Sequence, residues 1–153
     1  MKPAVLIRIA AILTLLFAIL HTLGRPWTPT HGVAETAVAG TMRDVHFTVL
    51  GSERSYWDFY QGFGIVLGGL FAVQAVLMWQ LAAAAREGGR YKVSVLTHLV
   101  GFVFVGIVSA NYIFTRPLWI ALAIAASLAL SLVSRSKVSA AGASAPGSSP
   151  LPG

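Results

Sequence analysis

The chain has 153 residues, 56% of them hydrophobic and only 10% charged, with 11 Lys or Arg against 5 Asp or Glu. A soluble domain carries about 25% charged residues, so this sequence has too little polar surface to cover a globule in water, and its solvent is lipid. The formal charge of +6 is scattered in ones and twos between apolar runs, which points to topology and anionic headgroups and not to nucleic acid, and with no cysteine present disulfides, thiolate catalysis and Cys-ligated metal centres are excluded.

A membrane span needs about 20 mainly apolar residues to cross a hydrocarbon core of about 30 Å. Four segments qualify: 4–23, 59–85, 93–114 and 118–133. Arg8 interrupts the first, near enough to its start to snorkel towards headgroups. The triplet Ala37-Val38-Ala39 offers a small-residue cleavage site, but it lies far beyond the first apolar run, with Pro26 and Pro29 between, so an uncleaved helix is expected. The loop 24–57 opens on GRPWTPTHG, a turn-rich stretch. Met42, Val45 and Val49 then recur at spacings of three and four, predicting a short amphipathic helix ended by Gly51. Ser55 followed three residues on by Asp58 is a capping-box pattern opening the second span, and Tyr56, Trp57 and Tyr60 form an aromatic belt there. Within that span Gly64, Gly68 and Ala72 make a small-residue ridge for close helix packing, or for a partner subunit or second copy. The last span is short and must stand nearly upright or sit in a thinned bilayer.

The expected fold is all-α: an antiparallel four-helix transmembrane bundle over residues 1–133, with a short helix in the outer loop and a disordered Pro/Ser-rich cytoplasmic tail at 134–153. Lys2, Arg8, Arg86, Arg90, Lys92, Arg135 and Lys137 fall on one side, and Arg25, Arg43, Arg54 and Arg116 on the other with four of the five acids. The positive-inside rule puts both termini in the cytoplasm and loop 24–57 outside.

His21-Thr22-Leu23-Gly24 with Pro26, Met42, Gly51, Arg54-Ser55 and Asp58-Phe59-Tyr60-x-Gly62-Phe63-Gly64 resemble a family of small four-pass bacterial membrane proteins named after a Leptospira locus. The resemblance covers about two thirds of the chain and implies a multi-pass protein of the bacterial inner membrane. No activity, substrate, cofactor or site residue comes with it. The layout is also similar, more loosely, to DoxX-like four-helix membrane proteins, and likeness of fold does not license function.

An ionisable residue within a span marks a candidate site. His21, Arg25, Arg54, Asp58, Gln61, Asn111 and Arg116 fall near the outer helix ends, while Gln74 and His98 lie deeper, where a hydrogen bond between them across the helix interface is expected. Haem held by His21 and His98 is disfavoured, because their depths differ by roughly 15 Å at a rise of about 1.5 Å per residue. The spacing of His21, His31 and His46 matches no compact metal motif, and no cofactor is expected. The outer cluster is the candidate ligand site, a shallow polar mouth for a lipid or quinone, with Arg54 pairing Asp58 or binding headgroups as the plainer use of those charges. Two functions stay open at this point: a non-catalytic module binding an amphiphile or partner subunit, or a small membrane enzyme with His21 and Asp58 as acid–base groups.

Overall fold

The structure, a computed structural model, describes residues 1–24 and 32–134. The described chain is mostly helical, with five helices and one hairpin: α1 (Pro3–Gly24), α2 (Val33–Asp44), β1 (His46–Val49), β2 (Ser52–Ser55), α3 (Tyr56–Arg86), α4 (Lys92–Tyr112) and α5 (Thr115–Val133). Four of the helices, α1, α3, α4 and α5, are long and apolar enough to cross a membrane, as expected of a multi-pass membrane protein. The fourth span begins earlier than hydropathy predicts. Pro117 sits in the first turn of α5, where a missing N–H costs nothing, so α5 reaches 19 residues and needs no thinned bilayer. With 31 residues, α3 is about 46 Å long and outreaches a hydrocarbon core of about 30 Å, so its ends project.

Residue pairs fix the direction of packing. His21 meets Gly64, Phe17 stacks on Phe71 at 4.5 Å, and Arg8 lies over the Trp79 ring at 5.2 Å, so α1 and α3 run antiparallel over most of their length. Arg8 is thus held on an aromatic face by a cation–π contact, with its stem half-buried, where free snorkelling was expected. Around α1 the order is α3–α1–α5–α4: α1 packs along both α3 and α5, and α4 packs on α5. Ile7, Ala10, Met78, Val95, Ala121, Ile124 and Leu128 are fully buried at these contacts. Ala10 and Ala121 among them let backbones approach closely, which in lipid replaces the hydrophobic effect as the cause of association.

Gly68 shows how close. A Cβ built there would lie 2.6 Å from Oγ1 of Thr22, so the small-residue ridge is used at this point within the chain, against α1.

Along the remaining side, α3 and α4 barely touch. Phe71 and Phe102 face one another there with ring centroids 6.3 Å apart, and the tight α3–α4 packing of a closed bundle is absent among the described residues. A seam runs between the two helices instead.

The loop after α1 corrects one expectation. The helix predicted through Leu50 ends at Asp44, Val45 is its extended C-cap, and Val49 belongs to a β-hairpin pairing His46 with Ser55 and Val49 with Ser52. Gly51 is a hairpin turn residue, not a helix cap. Leu50 and Gly51 have φ of 51° and 80°, the pair of positive values that a two-residue turn matched to strand twist requires. The run VHFTV carries the β-branched and aromatic residues that suit a strand. Phe47 anchors the hairpin on α3 through Tyr56 at 4.9 Å and Phe59 at 5.7 Å, while the Arg43 guanidinium lies 4.1 Å over Trp57.

Candidate functional site

On α4, His98, Phe102, Val105, Ser109 and Tyr112 recur at spacings of four and three, one face of a helix. On α3, Tyr60, Gly64, Leu67, Phe71 and Gln74 do the same. The two stripes confront each other across the seam and enclose two chambers that share Leu67, Phe71 and Val105.

The chamber at the hairpin end has a volume of about 510 Å³. Its walls are mostly aromatic and aliphatic, including Phe17, Phe63, Phe71, Phe104 and Phe114. The polar groups on it are few: His21, Tyr60, Ser109 and Tyr112. His21 is fixed by α1, and its Nε2–H donates to the carbonyl of Gly64 at 3.0 Å, a bond between helices. Its ring also meets the edge of Phe71. Ser109 is buried, and its Oγ has no hydrogen-bond partner among the described residues. A few directed polar groups in a largely apolar cavity is the usual make-up of a small-molecule site.

The second chamber, about 400 Å³, continues towards the other end of the helices and is lined by Gln74, Thr97 and His98 among apolar residues. The bond expected between His98 and Gln74 is not formed. His98 Nδ1 instead donates to the Ser94 carbonyl, 2.7 Å away on its own helix, and Nε2 is buried with no partner among the described residues.

The residues expected to form one polar mouth are dispersed. His21 lines the hairpin-end chamber, while Arg54 and Asp58 line an adjoining shallow depression of about 340 Å³ with Phe59, Gly62, Val66 and Phe63, the last shared with the chamber. Asp58 completes the capping box: its Oδ2 accepts from Ser55 N at 3.0 Å and Ser55 Oγ at 2.9 Å, and Ser55 Oγ accepts from Asp58 N at 3.1 Å. Arg54 and Asp58 form no ion pair among the described residues, and the guanidinium donates to the Glu53 carbonyl instead. Gln61 is half-buried on α3 and lines neither chamber. Asn111 is exposed and donates to Ile107 O of its own helix at 2.8 Å, and Arg116 is exposed at the start of α5. Arg25 and His31 lie outside the described residues. Sequence reasoning missed Ser109 and Tyr112, and took Tyr60 for an interface anchor alone. The four-and-three spacing along α4 was the available signal.

No family model, curated protein or solved structure matches the chain. Fold and site together define a multi-pass α-helical membrane protein with an apolar seam between two of its helices.

Proposed function

We propose that the chain is a non-catalytic membrane module that binds an amphiphile, a lipid or quinone, in the seam between α3 and α4. In this reading it sits in the bacterial inner membrane with both termini cytoplasmic and the hairpin end outside. The bound molecule completes the four-helix bundle by filling the side that the protein leaves unpacked. The observation that carries the reading is the hairpin-end chamber, which joins an apolar volume of about 510 Å³ to His21, Tyr60, Ser109 and Tyr112. An apolar tail belongs among the phenylalanines, and a carbonyl or hydroxyl head meets the unpartnered Ser109 hydroxyl and the tyrosines. Arg54 and Arg116, exposed near the same end, suit anionic headgroups of the surrounding bilayer.

The acid–base alternative has less support. Asp58 is occupied by the helix cap, His21 by the Gly64 carbonyl, and the two line different depressions. A photoactivatable phospholipid and a photoactivatable quinone, each added to the protein in bilayer nanodiscs, test the proposal. Adducts are expected on peptides covering Tyr60–Phe71 and Phe104–Phe114. Labelling spread evenly over the exposed faces of all four spanning helices contradicts it.

A further inference from the structure

The inner chamber has a chemistry of its own, set by one histidine. The nitrogen His98 turns to Ser94 faces a backbone carbonyl, which only accepts, so Nδ1 carries the hydrogen. In the neutral ring Nε2 then presents a lone pair, and that lone pair is buried without a donor. A buried acceptor left unmet is costly, more so in hydrocarbon than at a wet surface. The protein holds an obvious candidate donor in the Gln74 amide on the same chamber wall, yet that bond is not made.

Depth and charge narrow what does meet it. His98 is the seventh residue of α4, about 9 Å along a helix that rises about 1.5 Å per residue. No Asp, Glu, Lys or Arg lines this chamber. Beside a neutral His98, a phosphate, carboxylate or ammonium head would enter hydrocarbon there without a counter-charge. A head that suits this chamber is small, uncharged and a hydrogen-bond donor.

We propose that the chamber between Gln74 and His98 is a binding site for a neutral lipid alcohol, whose hydroxyl donates to His98 Nε2 while its tail lies along Leu67, Phe71 and Val105 or leaves the seam for the bilayer. Gln74, with a donor and an acceptor, takes a second oxygen of the same head. The head position is distinct from that of the hairpin-end chamber, since Ser109 stands 11 residues further along α4, about 16 Å away, while the two chambers share the apolar wall of Leu67, Phe71 and Val105.

The shared chemistry has two sources, a glycerol-based alcohol or a phenolic one, so the test uses a matched pair for each. Dioctanoylglycerol is compared with its methyl ether, and a short-tailed hydroquinone with its dimethyl ether, by displacement of a fluorescent lipid from the full chain in nanodiscs. Each ether keeps the tail and the oxygen and replaces the donor hydrogen with a methyl group. At least one alcohol should bind 10-fold or more tightly than its ether, and the pair that shows this identifies the source. His98→Phe should abolish the preference, and Ser127→Ala, on α5 and lining neither chamber, should leave it. Equal binding of alcohol and ether in both pairs overturns the proposal. So does a preference that survives His98→Phe or disappears in Ser127→Ala. The comparison within the unsubstituted protein needs no variant to fold.

Discussion

Gly68 on α3 and Thr22 on α1 lie so close that a methyl group on the glycine would stand 2.6 Å from the threonine oxygen. The next atoms are ordinary neighbours, His21 Cδ2 at 3.7 Å and Thr22 Cβ at 3.9 Å. Gly68→Ala should therefore destabilise the protein by about 2 kcal/mol through overpacking. Removing the obstructing oxygen should restore it, so Gly68→Ala with Thr22→Ala should be more stable than Gly68→Ala alone. Thermal unfolding in detergent for the four proteins of this cycle measures the coupling. Additive effects would mean that the two helices do not meet there.

Asp58 separates capping from ligand binding. It accepts two hydrogen bonds from Ser55 at the start of α3 and lines a depression apart from the seam. Asp58→Asn keeps an acceptor and should change stability little, whereas Asp58→Ala should cost about 1 kcal/mol. Neither should alter the amphiphile retained in the seam. Lipid extraction beside a melting curve for each variant checks both statements. Loss of bound amphiphile in Asp58→Asn would move the site to the Arg54 and Asp58 depression.

The spans were legible because apolar runs of this length have few alternatives, and the Ser55 and Asp58 cap was legible because both halves of its pattern are local in sequence. The hairpin was not. Val45 and Val49 fit a helical spacing as well as an alternating one, and Leu50 in a left-handed conformation hides a turn that Asn or Asp would have announced. The site was half legible. Depth along a helix follows from counting, and that counting set Gln74 and His98 apart from the polar groups near the hairpin end. Which face each residue occupies depends on packing order, and no local pattern told that α1 would take the place beside α3 and leave α4 apart from it. Arg54, Asp58 and His21 were joined on depth and on shared helix faces, but His21 meets Gly64, six residues beyond Asp58 on α3, and Arg54 lies on β2.

Topology can be tested with single introduced cysteines, since the chain has none of its own. Leu50 at the hairpin turn and Glu87 after α3 are exposed at opposite ends of that helix. With the positive side in the cytoplasm, a membrane-impermeant maleimide added to intact cells should label Leu50→Cys, and should label Glu87→Cys only after the membrane is opened. The reverse pattern inverts the protein.

The most direct test of amphiphile binding fills the seam. Val105 lines both chambers between α3 and α4, and Val66 lines only the Arg54 and Asp58 depression. Val105→Trp places a large ring where the tail is expected, on a side where the helices are not packed together, and Val66→Trp adds the same bulk elsewhere. The quantity to measure is the amphiphile co-purifying with each protein, as moles per mole of folded chain by mass spectrometry. The account predicts that Val105→Trp falls at least 10-fold below the parent while Val66→Trp matches it. Retention of the amphiphile by Val105→Trp, with its fold intact, would contradict it.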